Sequence, residues 1–382
     1  MKATVFKAEL LPAVELICKV VEAKTTLPIL SSVMLSTEEG GVTLRATDLD
    51  LELIVFVPSP KIEVEGAVLM PAKTLLNVVR ALEDEEIVIE GPEKGKVSVG
   101  PAKFQTPGNV ADMPVPMRMI EVKDTTAGFV RAMRAVMFAA STDETRFVLN
   151  GVLYDRGADA TRLVTTDGHR LAVIPTPELY VGSVPKETHI VMPTKAAIVL
   201  SEMEKKFPKR TISAGFDDGR GDGKRKPEPG PMLGKFRVGP ARLTFRCIDG
   251  QFPEYQQVVP KDDRDEFVVQ VDRKRFEKAL KLAASMTKTH GVKVCINGAL
   301  RLDTNDPDIG EVSQEVDASI RKKIDGSTEV TAGFNVMYLL DACKHLPKSA
   351  EGDEISLAVD DEHAPARMKS GDMCYIVMPM RV

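Results

Sequence analysis

Apolar residues in this chain recur with two periods that alternate along its length. Leu10, Val14, Ile17 and Val21 lie at helical spacing over residues 8–21, because positions three and four apart share one helix face. Strand-like runs follow at 29–36, 42–47 and 51–57. Met70-Pro71 then opens a helix over 72–82, with strands at 86–90 and 96–105. From Ala127 the order starts again: a helix to 140, strands at 147–154, 162–166 and 170–175, a helix over 194–206, and strands at 211–216 and 235–248. The third pass is more diverged. Asp272 N-caps a helix to about 286, strands follow at 292–303 and 311–320, a helix spans 334–346, and strands at 354–359 and 374–380 close the chain. Two helices and many short strands per pass predict an α+β architecture with the helices gathered on one face.

The residues repeat as well as the pattern. Ala46-Thr47-Asp48 returns as Thr165-Thr166-Asp167, and Val68-Leu69-Met70-Pro71-Ala72-Lys73 as Ile190-Val191-Met192-Pro193-Thr194-Lys195, at an offset of about 120 residues. Val99-Gly100-Pro101-Ala102-Lys103 returns as Val238-Gly239-Pro240-Ala241-Arg242. A repeat of this length is a whole domain, since solenoid units run to roughly 20–50 residues. Asn150-Gly151-Val152-Leu153 and Asn297-Gly298-Ala299-Leu300 are expected to occupy one place in copies two and three. The expected domains are 1–122, 123–262 and 263–382, with linkers near 121–126 and 261–266. Within the second, residues 217–234 are dominated by Gly, Pro and charge, and are expected to form a mobile loop between two strands. Arg220-Gly221-Asp222 inside it reads as loop composition, not as an adhesion motif.

With 43% hydrophobic residues, 382 residues suffice for ordinary cores. No apolar run approaches the ~18 residues of a membrane span, and the start, Met1-Lys2-Ala3-Thr4-Val5, lacks the apolar stretch of a signal peptide. Cys18, Cys247, Cys295, Cys343 and Cys374 are odd in number and form no CxxC pair. That spacing argues against a disulfide framework or zinc site and fits a reducing cytoplasm. The net charge of −5 is not that of a simple nucleic-acid binder, so the placement of positive charge matters more than its sum.

Several predicted helices carry that charge on their polar faces. Lys274, Lys278, Lys281 and Lys288 form one stripe if their helix lasts, opposite Phe276, Leu280 and Ala283. Arg273, Lys274 and Arg275 fill its first turn, where the macrodipole disfavours cations by ~0.3–1 kcal/mol each. Lys73, Asn77 and Arg80 oppose Leu75, Val79 and Leu82, and Arg131 and Arg134 oppose Phe129, Met133 and Val136. Lys195 opens the next helix and Lys205 and Lys206 end it, diluted by Glu202 and Glu204. Such faces attract phosphates without regard to sequence. The lack of Trp disfavours stacking on single-stranded bases.

Thr166-Asp167-Gly168-His169-Arg170 is the one segment that looks like a site. It reads as a general base, His169, oriented by Asp167; as a turn in which Gly168 supplies unusual backbone angles; or as a protein-binding edge. The first reading would make the chain a hydrolase or nuclease. Against it, no nucleophile motif, Gly-rich phosphate loop or HExxH is present, and no catalytic residue, metal or cofactor is expected. At the C-terminus, Tyr375-Ile376-Val377-Met378-Pro379-Met380-Arg381-Val382 is an apolar, Met-rich end suited to an adaptable peptide groove.

Thr26-Leu27-Pro28-Ile29-Leu30, Ala46-Thr47-Asp48-Leu49, Leu149-Asn150-Gly151, Thr166-Asp167-Gly168-His169-Arg170-Leu171-Ala172, Gly333-Phe334-Asn335 and Val377-Met378-Pro379-Met380-Arg381 together closely resemble the bacterial DNA polymerase III beta subunit, the sliding clamp family. The resemblance runs in order from end to end. It implies three clamp domains per chain, each with two helices inside and antiparallel sheets outside, and a head-to-tail homodimer forming a six-domain ring around duplex DNA. The implied activity is non-catalytic tethering of the replicative polymerase alpha subunit, with the clamp loader and other clamp-binding-motif proteins as further partners. The family's partner-peptide pocket falls here on Leu149, Thr166, Gly168, His169, Arg170, Leu171, Pro253, Val258, Asn335, Tyr338, Ile376, Met378, Pro379, Met380 and Arg381. Its DNA-contacting basic position in the first domain falls on Lys24, and Lys73, Arg80, Arg131, Arg134, Lys195, Lys274, Lys278 and Lys281 are the other expected DNA-facing residues. Gln257 where relatives often carry Arg, a final Val382 in place of Leu, and the 217–234 insert depart from the pattern. The stretch 103–106, expected at the dimer seam, is unusually polar.

Overall fold

The computed structural model describes the chain except residues 23, 24, 26, 94, 126, 158, 159, 181–183, 220–229, 260–266, 322–328 and 349–351. Its α-helices are α1 (Lys7–Val20), α2 (Ala72–Ala81), α3 (Ala127–Val136), α4 (Thr194–Lys206), α5 (Arg273–Ser285) and α6 (Val336–His345). Each follows directly, or within one residue, on a strand: Lys2–Phe6, Ala67–Pro71, Lys123–Thr125, Ile190–Pro193, Phe267–Asp272 and Val330–Asn335. Each is then followed by three strands. The repeating unit is therefore strand–helix–three strands, half the length that the residue pattern suggests, and each domain-sized repeat holds two of them. Repeat one adds the strand Lys61–Val64 and repeat three adds Ala318–Arg321.

Three expected long strands are hairpins instead. Lys96–Val99 and Ala102–Gln105, Leu233–Val238 and Ala241–Arg246, and Gly291–Ile296 and Leu300–Asp306 each pair antiparallel. Gly100 and Gly239 take φ of +56° and +55° at their turns, and Gly371, in the same place in repeat three, takes +55°. Only glycine adopts such angles at little cost, so one turn recurs three times. The runs at 29–36 and 147–154 begin as 3-10 turns, Pro28–Ser31 and Glu144–Leu149. The helix expected to reach 140 ends at Val136 and tightens into Met137–Ala139. The two Asn-Gly sequences are not equivalent: Asn150-Gly151 leads into the first strand after α3, whereas Asn297-Gly298 turns the hairpin one strand later. An Asn-Gly pair suits any tight turn, which explains the false match.

The described residues fall into two compact units. One comprises Met1–Val130, Pro177–Thr188 and Met192–Asp249; the other comprises Arg131–Thr176, His189–Val191 and Gly250–Val382. In the first, a five-stranded sheet has the order 61–64, 2–6, 86–93, 96–99, 102–105. An eight-stranded sheet has the order 123–125, 212–217, 233–238, 241–246, 51–58, 41–47, 32–38, 67–71. Leu51–Pro58 of repeat one thus pairs antiparallel with Ala241–Arg246 of repeat two. The second unit repeats the device, pairing Arg170–Pro175 with Met373–Val377 inside a nine-stranded sheet. Its other sheet has the order 310–316, 300–306, 291–296, 330–335. Sheet pairing therefore crosses both repeat boundaries.

Asp272 caps α5 as expected, its carboxylate accepting from Arg275 N at 2.9 Å. The first-turn cations have other uses than the pattern suggests. Arg273 is buried, and its guanidinium donates to Asp353 Oδ1 at 2.5 Å, Cys343 O at 2.9 Å, Leu346 O at 2.7 Å and Pro347 O at 2.9 Å. It thereby caps the C-terminus of α6, where free carbonyls and the negative end of the helix dipole favour a cation. Arg275 pairs with Asp317. Burial pushes the Cys343 thiol up to about 12 and the Cys18 thiol up to about 11, consistent with inert packing roles. Among the described residues, no helix is long and apolar enough to cross a membrane, and no three His, Cys, Asp or Glu side chains gather as metal ligands.

Arg273→Met leaves three carbonyls at the end of α6 without their donor and the half-buried Asp353 with only Lys348. It is expected to lower stability by about 1–3 kcal/mol, read as a lower urea midpoint, while Lys274→Met changes it by no more than about 0.5 kcal/mol.

Candidate functional site

The segment 166–170 is a tight turn between the strands Thr161–Thr166 and Arg170–Pro175. Asp167 Oδ1 accepts from His169 N at 2.9 Å and Arg170 N at 3.0 Å, and Thr166 Oγ1 donates to Arg170 O at 2.6 Å while accepting from Gly168 N at 3.1 Å. Gly168 sits at φ +90°, and a Cβ there would stand 2.8 Å from Arg146 Nη1, which donates to Asp167 O at 3.2 Å. The Asp167 carboxylate is thus spent on its own turn and on Arg170 Nε, at 2.9 Å from Oδ2. It does not orient the His169 imidazole, so the general-base reading fails on geometry.

Arg170 is the hub. Besides Asp167 it donates from Nη1 to Asp341 Oδ2 at 2.6 Å and from Nη2 to Phe138 O at 2.9 Å, and its guanidinium lies 4.6 Å from the centre of the Tyr338 ring. Both carboxylates, the Tyr338 ring and the Phe138 ring, whose centre lies 5.5 Å from the guanidinium, are held by one planar fork, which a lysine could not reproduce. Tyr338 in turn stacks on the exposed His169, with centroids 6.5 Å apart. Burial, and then the negative charge of Asp167, pushes the Tyr338 hydroxyl above its ordinary value, so it stays protonated.

The chain end is laid against this hub by its backbone. Met378 N donates to His169 O and Met380 N to Gly333 O, both at 2.9 Å. A Cβ on Gly333 would collide with Met380 O and stand 2.6 Å from Val382 Cγ2, which is why that crossing needs glycine. Leu171 pairs with Ile376 in the sheet, and both are buried. Asn335 caps α6 through Met337 N at 2.9 Å. Thr166, Gly168, His169, Arg170, Leu171, Tyr338, Ile376 and Met378 therefore meet directly. Pro379 is half-buried and Arg381 exposed along the tail. Leu149 ends the 3-10 turn Glu144–Leu149, while Pro253 and Val258 flank a turn whose Tyr255 hydroxyl donates to Asp155 Oδ2 at 2.5 Å. Exposed Phe147, Val258, Met337 and Met378 give the neighbourhood an adaptable apolar surface. Asp341, Phe138 and Arg146 escape the sequence reading. Asp341 alone leaves a trace there, as the single acid of α6.

Repeat one builds the same turn bond for bond. Asp48 Oδ1 accepts from Asp50 N at 3.0 Å and Leu51 N at 2.6 Å, Thr47 Oγ1 donates to Leu51 O at 2.8 Å, and Leu49 takes the glycine's place at φ +83°. Arg246 N donates to Asp50 O at 2.8 Å, as Met378 N does to His169 O. The side chains differ. Lys195 turns its ammonium to Asp48, Arg246 pairs with Asp50 at 3.7 Å, and a buried Glu52, bonded to Arg45 at 2.7 Å, replaces Leu171. Ion pairs of Lys195, Arg246 and Arg45 fill the first junction, whereas at the second Arg170 gathers the ion pairs and Leu171 and Met378 add apolar surface.

Of the other expected basic residues, Lys73, Arg80, Arg131, Lys274, Lys278 and Lys281 are exposed and Arg134 is half-buried. Arg80 pairs with Glu15 at 2.8 Å and Lys281 with Glu277 at 2.6 Å. Because α5 ends at Ser285, Lys288 drops out of the stripe and bonds Asp308 at 2.9 Å. Lys24 lies outside the described residues.

Comparison with known proteins matches residues 1–115, 125–254 and 256–381 to the N-terminal, central and C-terminal domains of the DNA polymerase III beta subunit. The chain is 31% identical to the beta sliding clamp of Caulobacter vibrioides and 28% identical to that of Escherichia coli, each match covering 100% of both chains. Among solved structures it superposes with a TM-score of 0.85 and 29% identity on a Bartonella birtlesii sliding clamp bound to griselimycin, and with 0.83 and 28% on the Caulobacter crescentus clamp, again over 100% of each chain. The chain belongs to the DNA polymerase III beta subunit family, the bacterial sliding clamps.

Proposed function

We propose that this protein is a non-catalytic, cytoplasmic sliding clamp that encircles duplex DNA and tethers the replicative polymerase. The observation that carries this reading is a sheet in two pieces. Each junction sheet places the three strands after one helix edge to edge with three strands from the neighbouring repeat, flanked by helix-leading strands. The five- and four-stranded sheets are the two halves of a third such sheet, ending on the free edges Ala102–Gln105 and Gly310–Val316. One chain cannot complete its own pattern, but head-to-tail copies complete it, and a heterologous contact that closes makes a ring. A second copy is the partner that the family resemblance implies.

The equivalence also sets the register. Leu243 pairs with Leu53 and Arg242 with Ile54 at the first junction; the corresponding seam pairs are Phe104 with Val312 and Lys103 with Ser313. Lys103 then lies diagonal to Glu311 and Glu315, so the polarity of this seam is charge-complementary. The domains are 1–122, 123–262 and 263–382, which place a helix-leading strand near the start of each. The helix faces that carry Lys73, Arg80, Arg131, Arg134, Lys195, Lys274, Lys278 and Lys281 are turned to the DNA backbone, the family resemblance adds Lys24, and encirclement lets a net-acidic protein hold DNA through weak phosphate contacts. The hub of Arg170, Tyr338 and the 378–381 tail, with Leu149, Pro253 and Val258, takes peptides of the polymerase alpha subunit, the clamp loader and other motif-bearing partners. A Bartonella clamp bound to griselimycin shows that a relative takes a ligand.

Protein loaded on circular DNA is expected to slide off once the circle is cut; retention on open linear DNA overturns encirclement. The Lys103→Cys/Ser313→Cys variant should form a cross-linked dimer on oxidation, and a ladder of open multimers or no cross-link would reject the seam. Deleting residues 378–382 is expected to weaken binding of short Gln- and Leu/Phe-containing peptides at least 100-fold by fluorescence anisotropy, with the dimer intact by gel filtration; unchanged affinity would reject the docking assignment.

A further inference from the structure

Glu15 stands on α1 among residues that build a core: Val14, Leu16 and Ile17 around it are buried. Its own carboxylate is not. At 20% side-chain exposure it accepts from Arg80 of α2 at Oε1, 2.8 Å away, and from Lys206 of α4 at Oε2. These two bonds hold the Glu15 carboxyl below the usual carboxylate range, so it is ionised at neutral pH. Arg80 and Lys206 keep 55% and 34% of their side chains exposed, yet both spend their charge on one acid. Close by in sequence, Glu202 holds Lys205 in the same way at 2.8 Å. Lys73, Lys274 and Lys278 have no ion pair among the described residues. The basic faces thus carry cations of two kinds, free and held.

We propose that Glu15 is an intramolecular counter-ion that keeps Arg80 and Lys206 off the DNA backbone, lowering the friction of the loaded ring. The inference rests on the sliding-clamp reading, in which α2 and α4 face DNA. The physics is competition between one fixed carboxylate and many passing phosphates. An exposed ion pair adds little to stability, so its main consequence is for whatever charge approaches from outside. A cation that neutralises a phosphate releases a condensed counter-ion and makes the contact salt-dependent, with a log–log slope of about 0.9 per contact. Cations already neutralised by Glu15 gain less from each phosphate, and the ring passes from one to the next without a deep well.

The test follows a fluorescent dimer loaded on tethered duplex DNA and reads its diffusion coefficient between 50 and 200 mM salt. Glu15→Gln keeps the side-chain shape and removes the charge. Two freed cations add about 1.8 to the salt slope, roughly a tenfold difference across that range. The variant is therefore expected to slide several-fold more slowly than the wild type at low salt and to regain most of its speed at high salt. Glu15→Gln/Arg80→Gln/Lys206→Gln is expected to return to wild-type speed, which a merely structural role for Glu15 would not produce. Wild-type speed in Glu15→Gln at both salts overturns the inference, as does a triple variant that stays slow. Glu15→Ala carries the same expectation should the glutamine variant fail to dimerise. If the wild type itself is not retained on circular DNA, the sliding-clamp reading fails instead, independently of Glu15.

Discussion

Everything in this fold depends on the antiparallel pairing of a repeat's last strand with a strand of its neighbour. Met373–Val377 lies against Arg170–Pro175, and Ala241–Arg246 against Leu51–Pro58. Backbone ladders of this kind leave no room for slippage, because a shift by one residue would turn every buried side chain to the wrong face. Within each unit the pairing joins strands of two repeats into one sheet, and the strands Ala102–Gln105 and Gly310–Val316 remain as open edges of the other two sheets. A free strand edge is usually a liability that proteins blunt. Here Ala102–Gln105 and Gly310–Val316 carry Lys, Gln and Glu, a composition that discourages promiscuous pairing while leaving a complementary edge acceptable.

The hub around Arg170 is a by-product of the same ladder. Where the neighbouring strand runs out, its next residue donates to the turn it has just passed, Met378 to His169 and Arg246 to Asp50. Both junctions thus own the same scaffold, down to the Asp side chain that ties each turn. What separates them is a handful of substitutions. Gly168 for Leu49 clears space that Arg146 uses, Arg170 for Leu51 supplies the fork, and Met378 for Arg246 removes an ion pair from the rim. Leu49 keeps a left-handed backbone angle that costs a non-glycine residue something over 1 kcal/mol. The hydrogen bonds of the turn impose that angle whether or not a ligand site is built there.

Most helices and half the strands follow from apolar spacing, because an amphipathic face is a local property. The span over 194–206 and the strand at 170–175 match the pattern residue for residue. What the spacing hides is long-range. Arg273 sits among Lys274 and Arg275 and reads as one more surface cation, but the loop that delivers Asp353 and the end of α6 bury it. Asp341 and Phe138 lie far from Arg170 in sequence, and only the fold brings them to its guanidinium. Short helix-leading strands such as Lys123–Thr125 are too brief to show alternation, so the half-length repeat stays hidden beneath the whole one. The motif residues of the turn 166–170 are legible because a tight turn states its chemistry in five consecutive positions.

Charge placement joins these themes. A ring that must hold DNA and yet move along it gains nothing from maximal attraction, since each deep phosphate contact is a barrier to the next step. An overall charge of −5 with cations on selected helix faces meets that demand. The ion pairs of Glu15, Asp48 and Glu277 temper the same faces further. Topology, secured by strand pairing, supplies retention without affinity. Affinity is then free to be concentrated elsewhere, and the two junctions differ in what they offer: paired lysine and arginine at the first, an arginine fork, a His–Tyr stack and a methionine-rich tail at the second.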